Sequence, residues 1–262
     1  MKKTLIDKIP KFIPEDVSRF IGHSRIFDSS CSKDARVYFI DKDDGYYLKI
    51  NRAGELKKEA TLTNYFNTKG LGANVIHYST DNESDFLLTD AVKGEDCTHH
   101  IYLENPKKLC DIIATRLRIL HDTDFELCPV QNRTAEYLAL ADQNYKSGNY
   151  DKSAFPDSFG YKSAEEAYAV LKDGRDGLHS DTLLHGDYCL PNIMLNNWNF
   201  SGFIDLGNGG VGDRHIDVFW GIWTLWFNLK TNDYAKRFID AYGRDKIDIS
   251  LLKTVAAAEV FG

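Results

Sequence analysis

The first part of the chain alternates short apolar runs with turn residues, which is the pattern of an antiparallel sheet. Asp44-Gly45 is a hairpin signal between two of these runs. A helix is predicted over 53–67, and a shorter one begins at Glu15. The pattern therefore predicts a sheet with one main helix. Its five strands are predicted where aromatic and β-branched residues concentrate, at 24–27, 35–40, 46–50, 75–79 and 86–89.

Beyond residue 105 the apolar residues recur at spacings of three and four, which predicts helices. Ser163, followed three residues later by Glu166, is typical of a helix start. The change of periodicity predicts an α+β fold in two parts, 1–93 and 94–262, with Gly94 giving the backbone freedom where they join. The predicted helices cover 106–121, 131–147, 163–171, 218–229, 233–242 and 250–261.

Composition narrows the possible functions. The chain has 262 residues, of which 43% are hydrophobic and 27% charged, and a net charge of −7, which disfavours a nucleic-acid-binding protein and would attract a polycationic ligand. No apolar run has the length of a membrane span, and Asp7 and Lys8 interrupt the start as a signal sequence. The five cysteines show no C-x-x-C spacing, which indicates reduced thiols. A cytoplasmic protein without nucleic-acid or membrane partners is predicted.

The chemistry is concentrated in residues 183–207. An apolar strand leads to Asp187, Asn192 follows five residues later, and a second apolar strand ends at Asp205. Phosphoryl transfer from a nucleotide needs a carboxylate to orient the attacking hydroxyl and oxygen ligands for Mg²⁺. Asp187 suits the first task, and Asn192 with Asp205 suits the second. The alternative is that all three residues cap turns, as Asp and Asn often do.

A second group of candidates lies in the predicted sheet. Lys49 shares a strand face with Tyr47, and Glu59 on the following helix is its natural partner. A strand lysine held by a helix glutamate binds nucleotide phosphates in kinases. The loop at 28–34, with Ser32, could cradle phosphates through hydroxyl and N–H groups. The alternatives are a solvated lysine with a surface glutamate and an ordinary hairpin loop.

The runs H-G-D-x-C-x-P-N (185–192) and G-F-I-D-L-G (202–207) resemble the aminoglycoside phosphotransferases, most closely their 3′-hydroxyl-directed branch. The resemblance implies a bilobal protein-kinase-like fold with a mostly helical C-lobe. It implies a kinase, a monomer or weak dimer, that uses ATP and Mg²⁺ to phosphorylate an aminoglycoside and so confers antibiotic resistance.

The resemblance also implies roles for further residues. Tyr47 would stack on adenine, and backbone groups of Asp90 and Ala91 would bond its edge. Asp217 would hold the backbone of the catalytic loop, with helix capping as its alternative role, and His185 would support the same loop. Asp151 and Asp157 would bind the antibiotic's amines, with an ordinary solvated loop as the alternative. Glu259 and Phe261 at the chain end would bind the same amines, with a frayed helix end as the alternative.

Two positions depart from the family pattern. Asn208 stands where many 3′-type enzymes have arginine, and Phe227-Asn228 stands where some relatives have acidic substrate ligands. Because of these two differences, the sequence does not determine which acceptor is phosphorylated. The alternatives are a kinase of another small hydroxylated or amino-alcohol substrate, and a catalytically silent nucleotide-binding module.

Overall fold

Two compact units make up the structure. It is a computed structural model that describes residues 3–7, 12–31, 35–150 and 160–262. The first unit is Met1–His99 with Pro191–Gly207, and the second is His100–Leu190 with Asn208–Gly262. The sequence predicts one boundary near residue 93, whereas the contacts place 191–207 with the first unit. Among the described residues, no helix combines the length and the apolar character needed to cross a bilayer.

The first unit is built on an antiparallel sheet with the strand order β1-β2-β3-β4-β6-β5. The described part of this sheet has six strands where the sequence predicts five, because a three-residue strand near the start of the chain pairs with β2. The strands are β1 (Thr4–Ile6), β2 (Arg25–Asp28), β3 (Arg36–Asp41), β4 (Tyr46–Arg52), β5 (Val75–Thr80) and β6 (Ser84–Asp90).

The two faces of this sheet differ. One face carries Ile40, Leu48 and Phe86, which pack on helix α1 (Glu15–Ile21). On the other face Lys49 pairs with Leu87 across the strands, and Leu87 packs against helix α2 (Lys57–Thr68). Helix α2 begins at Lys57 and not at residue 53, because the N–H of Leu56 binds the buried Asp85 carboxylate, 2.8 Å away. Because Lys49 lies on the same face of the sheet as Leu87, its side chain points toward α2.

A smaller sheet completes the first unit. Strands β9 (Ile193–Asn196) and β10 (Asn199–Phe203) form a hairpin, and β9 also pairs with β7 (Glu95–Asp96). The hairpin turn is Asn197-Trp198, and both residues have positive φ, which matches the twist of a tight two-residue hairpin. This hairpin separates Asn192 from Asp205 in the sequence and returns the chain to the same place.

The second unit is mostly helical. Its described helices are α3 (His100–Leu103), α4 (Pro106–His121), α5 (Arg133–Ser147), α6 (Ala164–Gly174), α7 (Arg214–Leu229), α8 (Ala235–Tyr242) and α9 (Ile249–Glu259). A core of buried residues from α5, α6, α7 and α9 includes Ala141, Leu171, Ile216 and Val255. Strands β8 (Thr182–Leu184) and β11 (Gly210–Gly212) pair beside them. The start of α6 is confirmed, since the Ser163 hydroxyl accepts a hydrogen bond from Glu166 N.

Candidate active site

A cavity of about 430 Å³ lies within the first unit, between the α2 side of the large sheet and the β9–β10 hairpin. Apolar side chains line part of it, including Val37, Ala73, Leu87, Met194 and Phe203. The polar part is lined by Lys49, Glu59, Asn192 and Asp205. The sequence predicts these four residues as one nucleotide and metal site, and the structure brings them to one cavity.

Lys49 is the centre of the polar part. Its ammonium group donates to both carboxylate oxygens of Glu59, at 3.0 and 2.7 Å, and to Asp205 Oδ1 at 2.8 Å. Burial lowers the pKa of Lys49, but the charges of Glu59 and Asp205 outweigh it and leave the pKa above its ordinary value. Lys49 is therefore a fixed positive charge, and its predicted contact with Glu59 is confirmed.

Asn192 and Asp205 lie together because Ile204 N donates to the carbonyl oxygen of Asn192 at 3.1 Å. Asp205 has φ of 59°, a left-handed conformation that costs energy in a non-glycine residue and is often found at functional sites. Its side chain is 52% exposed, so one side of the carboxylate can take a ligand. Carboxylate and amide oxygens are ligands that Mg²⁺ accepts when phosphate oxygens supply the rest. The described residues hold no group of three or more His, Cys, Asp or Glu suited to a metal.

The apolar part of the cavity fits an aromatic base. Tyr47 lines it and packs on Phe39, with ring centroids 5.2 Å apart, and burial raises the pKa of Tyr47 to about 12. The N–H groups of the predicted hinge are already bonded within the sheet. Asp90 N donates to Asn74 O, and Ala91 N donates to Gly45 O. A contact between this segment and adenine would therefore use its carbonyl oxygens.

Ser29 belongs to the loop 28–34, for which the sequence predicts phosphate binding and in which Ser32 is the named candidate. It lines the cavity and is 2% exposed, and its hydroxyl has no hydrogen-bond partner among the described residues. A buried hydroxyl without a partner loses its solvation, which a phosphate oxygen would restore. This residue and the Lys49 charge fit the phosphates of a nucleotide. The predicted Ser32 lies outside the described residues.

The second unit holds Asp187 in a loop after β8. Gly186 has φ of 85°, and a Cβ at this position would overlap the carbonyl group of Asn208, which explains why glycine stands there. Asp187 N donates to Nδ1 of the buried His185 at 3.3 Å. His185 therefore contacts the loop from inside.

Asp217 holds the start of the same loop. Its carboxylate accepts from His185 N and Gly186 N, both at 2.7 Å, and from His121 Nε2 at 3.2 Å. Burial lowers the pKa of His121, so the imidazole is neutral, and its Nδ1 accepts a hydrogen bond from the Tyr242 hydroxyl. The alternative role of Asp217 as a helix cap is wrong, because α7 begins at Arg214 and Asp213 caps it.

A basic residue is found beside Asn208 although the sequence departs from the family pattern there. The buried Arg133 donates through Nε to the carbonyl oxygen of Asn208 at 2.7 Å. Arg133 is contributed by α5, 75 residues earlier in the chain. No local pattern predicts this contact, which depends on the packing of α5 against β11.

Of the predicted substrate residues that the structure describes, Glu259 is the last residue of α9. Its Oε1 accepts from Tyr137 Oη at 2.8 Å and from Trp220 Nε1 at 2.9 Å, so the helix end is held and not frayed. Phe261 is fully buried among tyrosine rings, so its side chain is a core element and does not reach a ligand surface. Asp151 and Asp157 lie outside the described residues.

Glu259 makes stability depend on pH. Burial raises the pKa of Glu259 to about 7, and the charge of Asp187 acts in the same direction. The folded chain therefore binds more protons than the unfolded chain between the ordinary glutamate pKa and about 7, and stability is lost as pH rises through this window. We therefore expect the Tm of Glu259→Gln, minus the Tm of the natural chain, to increase as the pH rises from about 5 to about 8. Asp173→Asn, at an exposed position, should show a constant difference, and a constant difference for Glu259→Gln would contradict the assignment.

Comparisons with known proteins agree with this geometry. A family model described as "Phosphotransferase enzyme family" (APH) matches residues 31–252. A "Probable aminoglycoside 3'-phosphotransferase" of Lactococcus lactis is 49% identical over 99% of this chain and 98% of its own length. A solved aminoglycoside-3'-phosphotransferase of type VIII superposes with a TM-score of 0.75 at 23% identity, covering 90% of this chain and 91% of its own. A Streptomyces rimosus aminoglycoside phosphotransferase, solved with ADP and streptomycin, superposes with a TM-score of 0.70 at 21% identity, covering 86% and 90%. Both superpositions show that this chain has the same fold as those two proteins.

Proposed function

Because the chain belongs to the APH phosphotransferase enzyme family, we propose that it transfers the γ-phosphoryl group of ATP to the 3′-hydroxyl of an aminoglycoside. The observation that carries this proposal is the cluster of Lys49, Glu59 and Asp205 beside Asn192 in one cavity. A silent module of this family would not need all of these groups together with Asp187.

Each site residue of the first unit has a distinct task in this proposal. Lys49, held in place by Glu59, binds phosphate oxygens. The Ser29 hydroxyl donates a hydrogen bond to a further phosphate oxygen. Tyr47 stacks on the base. Asn192 and Asp205 hold Mg²⁺, which neutralises the phosphate charge when it is bound. Lys49 binds Asp205 directly, which keeps the two charges compensated.

Asp187 acts on the acceptor. Its carboxylate accepts the proton of the acceptor hydroxyl, whose oxygen forms the new bond to the γ-phosphorus while the bond to the β-phosphate oxygen breaks and ADP leaves. The loop is held from inside by Asp217 and His185, so the carboxylate needs little reorganisation.

An aminoglycoside acceptor is supported by charge. The net charge of −7 favours a polycation, and Glu259 places a second carboxylate in electrostatic range of Asp187. The name of the 49% identical relative points to the same acceptor class. In a host cell this activity would give resistance to the antibiotic.

The experiment is an ADP-release assay with Mg²⁺, ATP and a panel of acceptors. We expect turnover with kanamycin-like compounds that carry a 3′-hydroxyl and none with their 3′-deoxy counterparts. Equal turnover with the 3′-deoxy compounds would contradict the proposed position. Turnover with only other amino alcohols or sugars would support the alternative kinase, and no turnover with any acceptor would contradict the proposal as a whole.

A further inference from the structure

Helix α7 holds the loop that carries Asp187 at two places. Asp217 accepts from the N–H groups of His185 and Gly186, before Asp187 in the sequence. After Asp187, Leu190 N donates to Thr224 Oγ1 at 3.1 Å. Asp217 and Thr224 are seven residues apart on the helix, which is two turns, so both lie on the same face. The second of these contacts has no part in the function described so far.

The Thr224 hydroxyl has several partners. The residue is 1% exposed, and Asn228 Nδ2 donates to its Oγ1 at 3.2 Å and to its carbonyl oxygen at 2.8 Å. Thr224 Oγ1 therefore accepts from two donors, the N–H of Leu190 and the side-chain amide of Asn228. An acidic side chain at position 228 could not supply the second donor.

Cys189 lies in the same loop, between Asp187 and Leu190. Burial raises the pKa of the Cys189 thiol, and the charge of Asp187 raises it further. The thiol therefore keeps its proton. Asn228, Thr224 and Leu190 form one chain of hydrogen bonds from helix α7 to the loop that carries Asp187.

We propose that Thr224 is a positioning residue for Asp187, which it serves by fixing the loop through the Leu190 N–H. The inference rests on the proposed function, since the position of the carboxylate matters only if it meets an acceptor hydroxyl. Thr224 touches neither substrate in this account. Its removal should affect the chemical step and leave the binding of ATP and acceptor nearly unchanged.

The test compares Thr224→Val, which keeps the shape and removes the hydroxyl, with Thr224→Ser, which keeps the hydroxyl. We expect Thr224→Val to lower kcat about tenfold and to change both KM values less than about twofold. Thr224→Ser should restore most of kcat. Thr254→Val is the matched control, because Thr254 is a buried helix residue whose hydroxyl bonds only within α9 among the contacts described, to Ser250 O.

A second measurement does not depend on catalysis. Hydrogen exchange of the Leu190 amide should be faster in Thr224→Val and unchanged in Thr224→Ser. If Thr224→Val does not fold, Asn228→Ala replaces it, with an expected fall in kcat of about threefold and the same KM values.

The outcomes separate the inference from the proposed function. Unchanged kcat in Thr224→Val, or the same loss in Thr224→Ser, overturns the inference while the natural chain still phosphorylates its acceptor. An unchanged exchange rate at Leu190 overturns the contact itself. Lack of turnover by the natural chain with every acceptor overturns the proposed function, and the inference with it, before any variant is made.

Discussion

Replacement of Asp187 by asparagine is expected to lower kcat by about three orders of magnitude, because the amide cannot accept the proton of the attacking hydroxyl. Nucleotide binding should persist, since the residues that line the cavity belong to the first unit and do not include Asp187. The measurements are kcat from ADP release and the Kd for Mg²⁺–nucleotide from calorimetry.

Asp181→Asn is the matched control for this variant. Asp181 lies six residues earlier, its side chain is 62% exposed, and it has no task in the proposed reaction. Full turnover by Asp187→Asn would contradict the role of Asp187. A parallel loss of nucleotide affinity would show instead that the substitution disturbs the cavity.

Asp205→Asn should remove the effect of Mg²⁺ on nucleotide binding. Asparagine tolerates the left-handed backbone at this position, so the variant changes the charge with little backbone strain. With the carboxylate lost, we expect kcat/KM for the nucleotide to fall about a hundredfold. Calorimetry with and without Mg²⁺ should show a large difference in Kd for the natural chain and a small one for the variant.

Asp81→Asn makes the same change at an exposed turn of the first unit and should leave both quantities unchanged. If Asp205→Asn keeps the full effect of Mg²⁺, the metal is held by other residues. If it binds nucleotide more weakly with and without Mg²⁺ alike, the main task of Asp205 is to orient Lys49.

Sequence periodicity predicts most of the fold. Helix α4 has the predicted bounds, because one apolar stripe and Pro106 at its first position determine it locally. Strand β1 is missed because it has three residues and exists only through pairing with β2. The start of α7 is also missed, since Asp213 caps it four residues before the predicted start at Asp217.

In the candidate site, too, some residues are predicted from the sequence and others are missed. Lys49 and Glu59 are predicted from strand alternation and a neighbouring helix, and their contact is confirmed. Arg133 and Thr224 are missed, because their partners are backbone groups distant in sequence. The side chain of Phe261 is not available to a ligand, because it packs in a core of aromatic rings. Hydrophobic packing decides such positions, and spacing does not show it.

The most direct test of the whole account identifies the product. The natural chain is incubated with Mg²⁺, ATP and an aminoglycoside that carries a 3′-hydroxyl, and the antibiotic is analysed by mass spectrometry and ³¹P NMR. The account predicts a mass gain of one phosphoryl group and coupling of its phosphorus to the proton on the 3′ carbon. An unmodified antibiotic, with ATP either untouched or hydrolysed to inorganic phosphate, would contradict it.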